Sequence, residues 1–334
     1  MTSKELVTRA LEFQAPPRVP RIWGALPCAS DKYPEQTAAL YRDFPCDIAC
    51  PQPLYKKTPR TVGNMFEIGQ YTDEWGCTFE NIHYGVIGEV KEPIVNDWSN
   101  LSRVHFPKEW LTLDTDGINR FYESTDKYTC ASWTPRPFEQ LQFLRGTETL
   151  YIDLMEQEPD FLHFLDLLHN LYCETLTQWA KSDLDMLVMQ DDWGAQKQLL
   201  IPPAVFRRLF LPMYREYIRI AHSHGKKIYM HSDGYILEIL PDLIDAGLDA
   251  VNAQIFCMGI DRLAPFAGKI TFWGEIDRQY LLAYATPDEV EQAVWQVYRT
   301  LWKDGGCIAH LEFGPGAKPE NVRRALETWN RVLL

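Results

Sequence analysis

"KKIYMHSDGYILEILPDLIDAG", residues 226–247, decides the fold class of this chain. A short apolar run ends abruptly at His231, Ser232 and Asp233, and a stretch with helical periodicity then runs to Gly247. A strand that is apolar on both faces is typical of a parallel sheet covered by helices. The segment therefore predicts one strand–helix unit with polar residues where the strand ends.

The same unit recurs along the chain. Strands are predicted at 19–25, 47–52, 128–135, 185–194, 226–234, 250–254, 269–277 and 307–314. Helices are predicted between and after the later strands, at 202–225, 235–247, 286–306 and 319–333. Thr286, Pro287 and Glu289 have the spacing of a capping box. Since eight strands close a barrel, we predict an α/β protein, a (β/α)8 TIM barrel. It forms a single domain over residues 1–334, with an inserted β-hairpin near residues 71–93.

Polar side chains collect at the carboxyl ends of these strands. They are Asp191, Asp192, His231, Asp233, Gln254, Glu275, Asp277, His310 and Glu312. In a (β/α)8 barrel the carboxyl ends of the strands form the catalytic face. The pattern therefore favours an enzyme over a scaffold.

A candidate metal site lies among these residues. His231 and Asp233 are two residues apart on a strand, so their side chains point the same way. His310 and Glu312 repeat that spacing on the last strand, with Cys307 just before them. These five residues could hold Zn²⁺ with an open coordination position. The alternative is that Asp233 caps the turn that follows.

The predicted catalytic residues are Asp191, Glu275 and Asp277. Two carboxylates on one face, such as Glu275 and Asp277, raise the pKa of one of them, which suits acid–base chemistry. A salt bridge from Glu275 to Arg278 is the simpler alternative. Asp191 and Asp192 are adjacent and face opposite sides of their strand, so at most one enters the mouth of the barrel.

Substrate-binding residues are predicted around the same mouth. They are Trp23, Trp75, Asp192, Trp193, Gln196 and Gln254. Gln196 could donate a hydrogen bond to a ligand, and the tryptophans could enclose an aromatic one. A tryptophan is more often a packing residue, so the alternative for each is a place in the core.

Composition excludes several classes of function. The net charge of −13 argues against nucleic acid and anionic membranes as partners. No apolar run reaches transmembrane length. The eight cysteines are scattered and form no CxxC pair, which indicates reduced thiols in a cytoplasmic protein. No GxGxxG or GxxxxGK[ST] motif occurs, so no nucleotide cofactor is expected.

Five blocks carry a resemblance to a known family. They are "MTSKELVTRALEFQAPPRVP" (1–20), "DDWGAQKQLLIPPAVFRRLFLPMYREYI" (191–218), "HSDGYILEILPDLIDAGLDAVNAQ" (231–254), "FWGEIDRQYLLAYATPDEV" (272–290) and "KPENVRRALE" (318–327). Together and in this order they resemble the uroporphyrinogen decarboxylase superfamily. The resemblance implies a (β/α)8 barrel with its site at the carboxyl-end mouth.

The superfamily contains two chemistries. Uroporphyrinogen decarboxylases use an arginine-rich segment after the first strand to grip the substrate's propionates. The corresponding segment here, residues 22–35, has no arginine and only Lys32. The sequence is therefore more similar to the corrinoid-dependent methyltransferase and demethylase branch. A tetrapyrrole decarboxylase and a non-catalytic, ligand-binding barrel remain the alternatives.

The methyltransferase branch implies a small-molecule methyl donor and a partner protein that supplies the corrinoid. Members of the branch that act on thiols resemble one another in a zinc site of the form His-x-Cys with a distant second Cys. Here His231 matches the histidine, but Asp233 occupies the first Cys position. Oxygen ligands make a harder Lewis acid, which suits an O- or N-methylated donor such as a methoxylated aromatic. Family members are often dimeric, so a homodimer is an open expectation.

Overall fold

The computed structural model describes residues 1–332 and is an α/β protein. Within these residues the strands are β1 Arg21–Ala25, β2 Ile48–Ala49, β3 Gly69–Thr72, β4 Thr78–Asn81, β5 Glu89–Val90, β6 Tyr128–Thr129, β7 Met186–Gln190, β8 Lys227–Ser232, β9 Ala250–Ala253, β10 Thr271–Glu275 and β11 Cys307–Phe313. The α-helices are α1 Ser3–Leu11, α2 Pro27–Lys32, α3 Pro34–Asp43, α4 Thr115–Glu123, α5 Pro137–Arg145, α6 Thr147–Glu156, α7 Pro159–Ala180, α8 Pro203–Leu209, α9 Leu211–Ser223, α10 Leu240–Asp245, α11 Ile255–Met258, α12 Ile260–Leu263, α13 Pro287–Leu301 and α14 Pro319–Arg331. Three short 3₁₀ helices lie at Trp98–Arg103, Lys108–Thr112 and Ala264–Phe266.

A curled parallel sheet forms the centre of the molecule. Six strands are paired in the order β1-β11-β10-β9-β8-β7, and β2 and β6 form a separate parallel pair. Backbone hydrogen bonds connect the pair to both sides of the sheet. Asp47 N donates to Arg21 O over 2.8 Å, and Ala131 N donates to Met186 O over 2.9 Å. The arrangement is consistent with a TIM-barrel-like fold, in which the carboxyl ends of all parallel strands face one side.

The helices follow the local sequence signals. Thr286 Oγ1 accepts from Glu289 N while the Glu289 carboxylate accepts from Thr286 N, so the predicted capping box starts α13. The predicted helix over 202–225 is wrong in one respect: it is divided into α8 and α9 at Phe210. Pro212 explains the division, because proline has no N–H to donate and restricts the residue before it.

A small antiparallel sheet lies between α3 and α4, where the sequence predicts a hairpin over 71–93. It has three strands in the order β3-β4-β5, and Thr72 pairs with Thr78 next to the connection between β3 and β4. The loop before β3 and the connection between β4 and β5 line one wall of a cavity at the carboxyl end of the main sheet. Among the described residues, no helix combines the length and the apolar character that crossing a membrane requires.

Candidate functional site

Two glycines bring the loops after β7 and β8 into contact. A Cβ atom on Gly234, whose φ is +78°, would lie 2.0 Å from the carbonyl oxygen of Gly194. Gly194 N also donates to Asp233 O over 3.2 Å. Only glycine permits backbones to approach this closely. The segments DDWG and HSDG therefore meet at the carboxyl end of the sheet.

Asp192, His231 and Asp233 form a cluster where these loops meet. One ligand atom from each lies within 4.8 Å of the other two. His231 Nε2 is 3.7 Å from Asp192 Oδ1 and 3.8 Å from Asp233 Oδ1. Asp233 N donates to Asp192 Oδ1 over 2.9 Å, and this hydrogen bond fixes the Asp192 carboxylate. The three side chains are partly buried, and burial raises the pKa of Asp192.

Asn252 on β9 determines which nitrogen of His231 faces the cluster. Its Nδ2 donates to Trp273 O over 2.7 Å, so its Oδ1 is left to accept. His231 Nδ1 lies 2.6 Å from that oxygen and must therefore donate its proton there. In the neutral ring, Nε2 then carries the lone pair, on the side of the two aspartates. A hydrogen bond of this kind is how metal-binding histidines are usually oriented.

The cluster fits a divalent metal ion. A tetrahedral Zn²⁺ with bonds of about 2.1 Å places its ligand atoms about 3.4 Å apart. The two distances from His231 Nε2 to the aspartate oxygens, 3.7 and 3.8 Å, exceed this by a few tenths of an ångström. Asp233 Oδ1 is buried, and no described residue donates a hydrogen bond to it. A buried carboxylate oxygen without a donor is costly, and a cation would satisfy it.

Arg278 connects the cluster to two further carboxylates. Its Nη2 donates to Asp233 Oδ2, while Nη1 is 3.3 Å from Glu275 Oε1 and 3.4 Å from Glu312 Oε1. Burial raises the pKa of Glu275 to about 7, against the opposing effect of Arg278. One arginine thus faces three acids, with Asp192 close by. This excess of negative charge would attract a cation.

Two cavities open beside the cluster. The larger, of about 530 Å³, has His231, Asp233, Arg278 and Glu312 at its polar side. Its apolar walls come from the loops next to the antiparallel sheet, through Phe66, Val86 and Ile87, and from the segment after β10, through Ala283 and Tyr284. The smaller, of about 150 Å³, is lined by Glu275, Asp277, Cys257 and three glutamines, among others. Arg278 lines both cavities.

Three predicted metal ligands lie outside the cluster. Cys307 is the first residue of β11, at the opposite end of the sheet, and is fully buried. His310 lies three positions further along the strand, about 10 Å away. His310 Nδ1 donates to Ile22 O, and burial lowers the pKa of its ring to about 4. Glu312 reaches Arg278 instead. Of the predicted set, the structure brings together His231 and Asp233, and it adds Asp192.

The predicted catalytic acids have different surroundings. Asp191 is fully buried and accepts from Phe138 N, Glu139 N and Tyr214 Oη, so it holds the start of α5 and does not enter the mouth. Asp277 Oδ1 accepts from Gln279 N and caps the turn after β10, although it lines the smaller cavity. Glu275 alone combines burial, a raised pKa and a place on a cavity wall.

The three tryptophans predicted to bind substrate are packing residues. Trp23 stacks on Tyr41 at 4.2 Å, and Trp193 stacks on Phe138 at 4.3 Å. Trp75 is buried against other aromatic rings, including Trp110. None of the three lines either cavity, so the core alternative describes each of them.

Gln196 and Gln254 do line the smaller cavity. Gln196 Nε2 donates to Gln279 Oε1 over 2.9 Å, and Gln254 Oε1 accepts from Gly234 N over 3.1 Å. Sequence reasoning missed Asn252 and gave Arg278 only as a salt-bridge partner. For Asn252 the signal was present, because a lone amide inside the apolar strand AVNAQ needs a polar partner.

Comparisons with solved structures show similar folds. A methyltransferase from Methanosarcina mazei superimposes with a TM-score of 0.66 at 14% identity and covers 100% of both chains. At this identity the likeness shows the fold alone. A xylanase from Gloeophyllum trabeum has a TM-score of 0.45 at 11% identity over 96% of this chain and 99% of its own. A B12-independent methionine synthase from Shewanella sp. W3-18-1 has 0.39 at 11% identity, over 66% and 65% respectively. The last two are too distant to carry an argument.

Sequence comparison gives the family directly. Among curated proteins no sequence matches the chain. The family model described as uroporphyrinogen decarboxylase (URO-D) matches residues 66–332. This match includes the cluster, both loops that form it and the last strand. The chain therefore belongs to the uroporphyrinogen decarboxylase family.

Proposed function

We propose that this chain is a closed (β/α)8 barrel enzyme that transfers a methyl group from a small O- or N-methylated donor to the corrinoid of a partner protein. The observation that carries the proposal is the cluster of Asp192, His231 and Asp233, with His231 Nε2 directed at two carboxylate oxygens. Membership of the family and the fold shared with a methyltransferase support it.

Asp192, His231 and Asp233 would hold a divalent cation, with zinc as the first candidate. One histidine nitrogen and two carboxylate oxygens are a ligand set that zinc accepts and that leaves a fourth position open. A cation in this place supplies Lewis acidity, which polarises a donor oxygen or nitrogen. Asn252 would keep the histidine in the ligating tautomer, as its present hydrogen bond does.

The larger cavity suits a small amphipathic donor. Its volume of about 530 Å³ lies within the range of small-molecule sites, and apolar side chains form most of its walls. The polar groups are concentrated on one side, at His231, Asp233, Arg278 and Glu312. A donor with an apolar body, such as a methoxylated aromatic compound, would place its heteroatom at this side and its body against Phe66 and Ile87.

Glu275 is the candidate proton donor. The methyl carbon leaves the donor's oxygen or nitrogen, and the electron pair of the broken bond stays on that atom. The carbon takes a new electron pair from Co(I), which becomes Co(III). Protonated Glu275, on the wall of the adjoining smaller cavity, would supply the proton that neutralises the leaving atom. The balance is donor, Co(I) and one proton giving demethylated product and methyl-Co(III). A carboxyl with a pKa of about 7 can hold a proton near neutral pH and release it on demand.

Decarboxylation of a tetrapyrrole has less support. The substrate would carry many carboxylates into a site that already contains Asp192, Asp233, Glu275 and Glu312. The segment after β1 offers only Lys32 as a cation, and this side chain is exposed. Like charges without a clamp would oppose binding. A chain that turned over uroporphyrinogen would reverse this preference.

Free cob(I)alamin can replace the partner in a direct test. The zinc-loaded protein is incubated with cob(I)alamin and a panel of methoxylated aromatics and methylated amines. We expect loss of Co(I) absorption and formation of methylcobalamin with at least one donor, and no reaction with His231→Ala. No transfer from any donor, in a preparation that contains stoichiometric metal, would contradict the proposal.

A further inference from the structure

Arg278 binds only one of the two carboxylate oxygens of Asp233. Its Nη2 donates to Oδ2, whereas Oδ1 faces His231 Nε2 at 3.8 Å and receives a hydrogen bond from no described residue. The guanidinium is itself held, because Nη1 lies 3.3 Å from Glu275 Oε1 and 3.4 Å from Glu312 Oε1. Arg278 therefore has little freedom to leave Asp233.

This arrangement matters because a carboxylate can bind a metal ion through one oxygen or through both. A thiolate in the same position would offer a single donor atom. If Asp233 bound through both oxygens, it would occupy two coordination positions. The position left open for a donor oxygen or nitrogen would then be lost or crowded.

We propose that Arg278 is a positioning residue that restricts Asp233 to one-oxygen ligation and so keeps a coordination position open for the methyl donor. The inference rests on the metal site of the proposed function. It has a cost in affinity, because a fixed positive charge beside a divalent cation repels it. Arg278 thus trades metal affinity for an open site.

Cobalt(II) substitution tests the inference without any turnover. Four-coordinate Co²⁺ absorbs strongly in the visible region, and five- or six-coordinate Co²⁺ absorbs weakly. We expect strong absorption in the wild-type protein. In Arg278→Met, Asp233 Oδ2 is released and can bind the metal, so the absorption should weaken. Zn²⁺ should bind about tenfold more tightly in chelator competition, because the repelling charge is removed and a second carboxylate oxygen becomes available.

Two further variants separate hydrogen bonding from charge. Arg278→Lys keeps a cationic donor, and its Co²⁺ spectrum should resemble that of the wild type. Arg207→Met removes an arginine that pairs with Asp242 on the outer helices, so it matches the loss of charge and should change neither spectrum nor affinity. If Arg278→Met does not fold, infrared difference spectra of zinc binding to the wild type, compared with Asp233→Asn, distinguish one-oxygen from two-oxygen ligation.

The outcomes separate this inference from the proposed function. Stoichiometric Co²⁺ in Arg278→Met with an unchanged spectrum would overturn the role of Arg278 and leave the metal site intact. Two-oxygen ligation in the wild-type infrared spectrum would do the same. A wild-type protein that binds no Co²⁺ or Zn²⁺ would overturn the metal site, and this inference with it.

Discussion

Two pairs of aspartates, one pair at each end of the parallel strands, have opposite environments. At the amino ends, Asp249 accepts from Lys227 Nζ, His222 Nε2 and Ile228 N, all within 3.0 Å. Asp47 accepts from both terminal nitrogens of Arg18 and from Arg21 N. At the carboxyl ends, Asp233 leaves Oδ1 buried with no donor from any described residue. Asp192 lies beside it, and burial raises the pKa of its carboxyl group.

The same residue type therefore serves two purposes. A buried carboxylate with every oxygen satisfied contributes to folding. One that is incompletely satisfied costs stability, and the cost is retained where a ligand completes the site. This division matches the general behaviour of barrels, in which one end supplies stability and the other supplies chemistry. The predictions below test whether the two ends separate in this way.

The largest effect is expected at His231. His231→Ala removes the only nitrogen ligand of the cluster, so stoichiometric zinc and methyl transfer should both be lost. The loss of affinity should exceed the roughly 100-fold that removal of an outer partner causes. Elemental analysis after dialysis measures the zinc content. Zinc retained at full occupancy would show that His231 is not a metal ligand. Unfolding of the zinc-free protein in urea should be unaffected by His231→Ala.

A substitution at Asp47 tests the role of aspartates at the amino ends of the strands. Asp47→Ala removes a buried carboxylate that pairs with the partly exposed Arg18, and it leaves Arg21 N without its acceptor, so the free energy of unfolding should fall by about 2 kcal/mol. Urea denaturation measures it. The matched control is Asp233→Asn at the carboxyl end, which should change stability by less than about 1 kcal/mol and yet weaken metal binding. Equal destabilisation by both variants would contradict the division between the ends.

A smaller effect is expected at Asn252. Asn252→Ala removes the acceptor that fixes the tautomer of His231, so zinc affinity should fall by about 10- to 100-fold. Asn252→Asp keeps an acceptor and should retain most of the affinity. Chelator competition compares the two variants with the wild type. Equal affinity for Asn252→Ala and the wild type would show that the ring is oriented by something else.

The smallest effect is a pH dependence at Glu275. If Glu275 supplies the proton as proposed, the transfer needs its protonated carboxyl, and burial raises the pKa of Glu275 to about 7. The rate should therefore be constant below about pH 7 and fall about tenfold per pH unit above it, as the acid form disappears. Glu275→Gln should be slow at every pH and show no such decline. A rate that rises through pH 7 would require a base in place of an acid.

Much of the architecture was predictable because strand hydrophobicity and helix caps are local signals. All eight predicted strands have a counterpart, and Thr286 starts α13 as its capping box indicates. The strands β2 and β6 are shorter than the sequence predicts. Pro212 divides a helix that hydrophobic periodicity alone predicts to be continuous. Periodicity reports which face is buried, and it does not report where backbone pairing stops.

The site was predictable only in part. The i, i+2 spacing of His231 and Asp233 implied a shared direction, and the structure brings them together. Asp192 joins them because two glycine-containing loops pack backbone to backbone, which no pattern within either loop reveals. Cys307 was misplaced because closeness to His310 in sequence says nothing about which end of a strand a residue occupies. The prediction that tryptophans bind substrate has a similar limit, because residue type does not distinguish a pocket wall from the core.

X-ray diffraction from crystals grown with Zn²⁺, recorded on both sides of the zinc absorption edge, would show directly whether the cluster binds the metal. We expect one anomalous peak at bonding distance from His231 Nε2, Asp192 Oδ1 and Asp233 Oδ1, with Arg278 still bonded to Asp233 Oδ2. No peak at this cluster, or a peak held by other residues such as His310, would contradict this expectation.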